Sequence, residues 1–137
     1  MAYYYGSASW FCCGHAGSWS SRCADTGHGS CGNCESYLDH AAWPKLKRPG
    51  YPDCNKSDNC LSLPWKYCGD TLVVYNRCNG QQVTVEVHDC GPNTNNYCNW
   101  PCGCGYPNCP AIIDLTPNAF SKIANLDVGR IPVRVTA

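Results

Sequence analysis

Gly69-Asp-Thr-Leu-Val-Val-Tyr-Asn-Arg-Cys-Asn-Gly-Gln-Gln-Val-Thr-Val-Glu-Val-His-Asp-Cys-Gly-Pro92 is the stretch from which the fold can be read. Two runs rich in β-branched residues, 71–76 and 82–88, flank Arg77-Cys78-Asn79-Gly80. Asn-Gly tolerates the positive φ values of a tight turn, so the runs are predicted to pair as a hairpin. In the second run Val83, Val85 and Val87 alternate with Thr84, Glu86 and His88. That period of two marks one buried face and one wet one.

Outward from the hairpin, Tyr3 to Phe11 reads as an aromatic and small-residue strand with Gly6 as a bulge. Ala111-Ile-Ile-Asp-Leu115 is a short strand, and Thr116-Pro117 supplies a helix N-cap and an N1 proline. Ala119, Phe120, Ile123 and Ala124 follow at helical spacing, which predicts two to three turns; Ile131 to Thr136 closes as a strand. Residues 12–63 show no sustained period, with only a short helical turn expected from Glu35 to Ala42. Strands with a single short helix predict a mainly β fold, a small barrel with long loops.

Composition explains how such a chain could stay folded. Leu, Ile, Val and Phe supply only 21 of 137 residues, while 14 cysteines accompany 13 glycines and 10 prolines. An even cysteine count spread over most of the chain favours up to seven disulfides and an extracellular, oxidising setting. Cys31-x2-Cys34 and the set Cys98, Cys102, Cys104 and Cys109 have knuckle-like spacing that would also suit zinc. Both sets are rich in Gly, Pro and Asn, and the expectation is disulfides, with no metal and no cofactor. Connectivity stays open. Ten basic against ten acidic residues exclude the basic field of a nucleic-acid binder. No apolar run is long enough for a membrane span. Met1-Ala2 runs directly into Tyr3, so the chain reads as a mature secreted domain behind a start Met.

Three stretches together resemble the RlpA-like double-psi β-barrel superfamily, which includes expansins, barwin-type domains and family-45 endoglucanases. They are Tyr5-Gly-Ser-Ala-Ser-Trp-Phe11, the segment from Leu63-Pro-Trp through Asp89-Cys-Gly-Pro92, and Ile113-Asp-Leu-Thr-Pro through Gly129-Arg-Ile-Pro-Val133. The resemblance implies a six-stranded double-psi barrel spanning residues 1–137 as one monomeric domain, with Cys-rich insertions at 12–62 and 90–110. It also implies a protein acting on cell-wall polysaccharide, either peptidoglycan or β-1,4-glucan. The alternatives the superfamily offers are non-hydrolytic, expansin-like wall loosening or glycan binding, and a cysteine-protease inhibitor or barwin-type defence protein.

The same resemblance nominates residues. Asp114 matches the functional aspartate of the strand-to-helix motif, and Asp89 the aspartate of the Asp-x-Gly-Pro turn. Asp114 lies between Ile113 and Leu115, an apolar setting that raises a carboxyl pKa when the side chain faces a dry cleft, as a general acid requires. The nearby helix N-terminus would oppose that shift. Asp89, before Gly-Pro, also suits a turn-former that bonds its own backbone. Glu35, Asp39 and His40 stand near Ala41-Ala42-Trp43, where RlpA-like enzymes carry an acidic residue and Ala-Ala-His; Trp43 replaces the histidine. Phe11, not aspartate, precedes Cys12-Cys13, so the usual family-45 base is missing. Trp10, Trp43, Trp65 and Trp100 are candidates to stack on sugar rings.

Overall fold

In a computed structural model describing residues 2–137, the strands are β1 (Tyr3–Trp10), β2 (His40–Trp43), β3 (Lys45–Lys47), β4 (Cys54–Asn55), β5 (Lys66–Tyr67), β6 (Thr71–Asn76), β7 (Gln82–Cys90), β8 (Ala111–Leu115) and β9 (Arg130–Thr136). One α-helix is described, α1 (Pro117–Ser121). Six strands close a barrel in the order β1-β8-β2-β7-β6-β9, and β9 returns to β1 antiparallel. Two neighbours in the ring, β1 with β8 and β2 with β7, run parallel. Strands β4, β3 and β5 make a small separate sheet.

The hairpin pairs as expected: Thr71 faces Glu86 and Tyr75 faces Gln82. Val83, Val85 and Val87 are buried and Thr84 and Glu86 exposed. They join Leu72, Val74, Ile113, Leu115, Phe120, Ile123, Val133 and Val135 in the core. Apolar burial of this kind, at about 25 cal/mol per Å², is the main term favouring the fold.

Three local expectations need correction. The helical turn expected from Glu35 to Ala42 is a single hydrogen-bonded turn at 36–37 and a bend, followed by β2, which inserts between β8 and β7. Residues 12–62 therefore contribute a barrel strand. Its four residues are too few to display a period, and β2 is held by both neighbours. Helix α1 is shorter than two turns. The amide of Ile123 already bonds the Phe120 carbonyl in the tighter i−3 manner, and the Asn76 and Asn79 side chains donate to the Ile123 carbonyl at 2.7 and 2.9 Å. The bulge in β1 lies between Ser7 and Ala8. Gly6 serves a different purpose, because a side chain there would strike the Pro110 carbonyl and Ile112.

All 14 cysteines pair: 12–23, 13–34, 31–68, 54–90, 60–98, 78–104 and 102–109. No bridge begins inside β1, β2, β6, β8 or β9. The staples hold the loops, and hydrogen bonds hold the barrel.

Candidate functional site

Strand register lays a row of side chains across five barrel strands. Arg130 on β9 faces Ser9 on β1, Ser9 faces Asp114 on β8, Asp114 faces Ala42 on β2, and Ala42 faces Asp89 on β7. Directly opposed residues share a face of a sheet, so these five point the same way. Ile113 and Leu115, the neighbours of Asp114, take the opposite face and are fully buried.

Above the Arg130–Ser9–Asp114 end of this row lies an open groove of about 560 Å³. Asp114 and Ser9 form its floor, with Pro92, Tyr97, Trp100 and Arg130 among its walls. Trp100 is 39% exposed and meets Tyr97 edge to face at 4.5 Å. The Arg130 guanidinium lies 3.8 Å over the Trp100 ring. Burial lowers the Arg130 pKa from its ordinary value.

Asp114 accepts a hydrogen bond from the Ser9 hydroxyl at 2.9 Å. Its pKa is raised, chiefly by burial and further by the Asp89 charge, against the Ser9 hydrogen bond and Lys56, which lower it. Thr116 caps α1 as expected, accepting from the Ala119 amide. Desolvation nevertheless outweighs the charges that favour ionisation. Asp89 has a different environment. Its Oδ1 accepts from the amides of Ser30 and Cys90, each at 2.8 Å. Loop 28–32 closes over it so tightly that a side chain at Gly29 would come within 2.8 Å of the His88 carbonyl and 3.1 Å of Asp89 Cβ.

The remaining candidates separate. Trp100 lines the groove; Trp10, Trp43 and Trp65 do not. Trp43 has no accessible surface, and the expectation that it stacks on a sugar is overturned. Ala42 occupies the outward row, so the next residue must face the barrel interior. There Trp43 donates from Nε1 to the Pro64 carbonyl at 3.0 Å and packs edge-on against Tyr4. Trp10 is fastened to the Leu126 carbonyl at 2.9 Å under Arg22. Trp65 lies beneath Lys45 and Lys47, each about 5 Å from its ring centre.

Glu35, Asp39 and His40 also lie outside the groove lining. Glu35 is buried and pairs with His15 at 2.7 Å, and Asp39 ties to Lys122 and Asn118 on and just after α1. His40 Nδ1 accepts from the Glu35 amide at 3.1 Å while its ring stacks on His88 at 3.8 Å. Burial, with the His88 charge second, lowers the His40 pKa. His40, His88 and Glu86 bring possible metal-ligand atoms within 4.8 Å of one another. The stacked rings and the engaged Nδ1 would have to turn before both imidazoles could aim at one ion.

Ser9, Tyr97 and Arg130 escaped the sequence reading. Only Ser9 had a visible signal, being in the opening strand, two positions from Ser7 on the non-core side of Ala8.

No protein-family model matches the chain, and no curated protein matches its sequence. Solved structures do. A Streptomyces papain inhibitor aligns with 98% of this chain and 93% of its own, at 21% identity and a TM-score of 0.50. An expansin of Clavibacter michiganensis aligns with 98% of this chain and 50% of its own, at 19% identity and a TM-score of 0.51. A mutant of that expansin, solved with cellohexaose, aligns over the same shares at 18% identity and 0.51. The chain thus has the double-psi β-barrel fold shared by expansins and this inhibitor, and it spans about half the length of the expansin chains.

Proposed function

We propose that this protein is secreted and binds a cell-wall polysaccharide in the groove, where Asp114 acts as the general acid of glycosidic cleavage. The observation that carries this reading is a carboxyl with a raised pKa on the floor of an open, aromatic-walled groove. A protonated Asp114 delivers its proton to the leaving glycosidic oxygen as the bond to the anomeric carbon breaks. Tyr97 and Trp100 offer ring surface to a pyranose, and Ser9 fixes the carboxyl orientation.

For hydrolysis the second requirement is a base for water. Asp89 stands two strands away, about 10 Å from Asp114 between Cα atoms at normal strand spacing. Inversion places a water between two carboxyl groups, and the shared row points both side chains the same way. One observation favours a second reading, glycan binding without cleavage: Asp89 Oδ1 already accepts two backbone amides. The fold shared with the expansin solved with cellohexaose supports a polysaccharide ligand under either reading.

The test is incubation of the protein with peptidoglycan, with β-1,4-glucan and with papain, reading sugar products by mass spectrometry. Soluble products that vanish in Asp114→Asn, with that variant still folded and glycan-bound, are the expected result. Glycan retention without products selects the non-cleaving reading. Papain inhibition without glycan binding removes both and makes the loops the working surface.

A further inference from the structure

From the groove outward, the wall of the barrel carries three arginines with no ion-pair partner among the described residues. Arg130 and Arg134 project from β9, and the Arg77 amide donates to the Pro132 carbonyl at 2.9 Å, which seats Arg77 beside the strand between them. Every one of the three lies on aromatic rings. Arg130 covers Trp100; Arg77 sits 3.9 Å from the Tyr106 ring centre and 4.8 Å from Tyr5; Arg134 sits 4.4 Å from Tyr75 and 4.5 Å from Tyr3. Tyr3 and Tyr5 are 52% and 48% exposed. Among the described residues, none of these guanidinium groups pairs with a carboxylate. Arg130 Nη1 and Arg134 Nε are buried with no hydrogen-bond partner. The outward neighbours on β1, β9 and β6 are Tyr3, Tyr5, Thr136, Val73 and Tyr75, with no carboxylate.

A guanidinium whose faces are covered by rings has only its N–H edge left to offer, and that planar fork fits a carboxylate. A buried donor without an acceptor is costly until one arrives. Arg130 and Arg134 are four residues apart on a strand, about 13 Å, with Arg77 near the middle. Charge and ring therefore alternate along a line that starts in the groove at Arg130.

Resting on the glycan reading above, we propose that this Arg130–Arg77–Arg134 track binds a linear polysaccharide bearing carboxylates, a uronic-acid glycan, as an extension of the groove. A uronic acid carries in one unit both a pyranose face for a tyrosine and a carboxylate for the neighbouring fork. Protein interfaces also favour Arg and Tyr, but here fork and ring recur at regular spacing along one strand, which suits a linear chain of repeating units.

The experiment is calorimetric titration of the full chain with a long oligogalacturonate and with the same oligomer fully methyl-esterified. The native protein should prefer the acid roughly tenfold, a difference of about 1.4 kcal/mol, and added salt should erode that preference. Arg77→Gln with Arg134→Gln should abolish most of the preference. Arg77→Lys with Arg134→Lys, which keeps charge but loses the fork, should retain part of it and covers the case in which the glutamine pair does not fold. Equal affinity of the native protein for acid and ester overturns the track, as does an undiminished preference in the folded glutamine variant. Loss of papain inhibition in that variant, with no acid preference in the native protein, reassigns the arginines to a protein partner. An acid preference without any glycan cleavage supports the track while removing the role given to Asp114. Failure to bind any glycan overturns both.

Discussion

Ser9 and Asp114 are separated by 105 positions and joined by one 2.9 Å hydrogen bond. That bond lowers the Asp114 pKa against the burial that raises it. Ser9→Ala should therefore push the pKa higher still. If Asp114 is the acid, the alkaline limb of the pH–rate profile moves upward in Ser9→Ala and disappears in Asp114→Asn; a profile unmoved by Ser9→Ala would separate the limb from Asp114. Stability carries the same sign. A carboxyl whose folded pKa exceeds its unfolded one binds its proton more tightly when folded, so its stabilising contribution is full below the unfolded pKa. It is lost as pH rises through the folded pKa. Asp114→Asn should consequently melt at a higher temperature than the native protein at neutral pH, and the advantage should shrink on acidification. Thermal melts across that range check it.

At the level of the element, the hairpin was legible because alternation is a physical pattern: Val85 is 1% exposed and its neighbour Thr84 lies on the wet side. Val85→Asp would bury an unpaired carboxylate at a cost of several kcal/mol, comparable to the whole stability of a small domain. It should fail to fold, whereas Thr84→Asp should shift stability by roughly 0.5 kcal/mol or less; circular dichroism and denaturant titration distinguish them. Thr116→Ala tests another legible feature, the helix cap. Its hydroxyl also donates to the Leu38 carbonyl at 2.6 Å, so the loss should reach or exceed the ~1 kcal/mol of an ordinary cap. Strand β2 was not legible. His40-Ala-Ala-Trp43 has no preference strong enough to declare itself, and its neighbours supply its conformation. Without β2 there is no parity from which to place Trp43 on the inner face, and its nomination as a stacking ring has nothing to oppose it. Trp100 was among the candidates, but its pairing with Tyr97 as a groove wall was hidden for a related reason. Tyr97 and Trp100 come from a loop whose position is set by bridges 60–98 and 102–109, and pairings cannot be read from cysteine positions. Asp114 was the exception, since its alternation with Ile113 and Leu115 is local.

Across the whole molecule, a small core and seven bridges divide the work of stability. Removing one native bridge from a small domain costs about 2–5 kcal/mol, so loss of several exceeds the 5–15 kcal/mol typical of a folded protein. Full reduction should unfold the chain. Thiol titration of the denatured, unreduced protein should find essentially no free thiol, and four or more would contradict the seven-bridge network.

The division between a hydrogen-bonded barrel and stapled loops also sets an order of events. The floor of the groove, Ser9 and Asp114, lies on paired barrel strands with no bridge between them. The wall bearing Tyr97 and Trp100 awaits three covalent links, 60–98, 78–104 and 102–109, which form only after the chain meets an oxidant. Before those links form, the chain lacks both a stable barrel and a finished wall, so there is no groove to hold a ligand. Competence thus arrives late, and only where thiols are consumed.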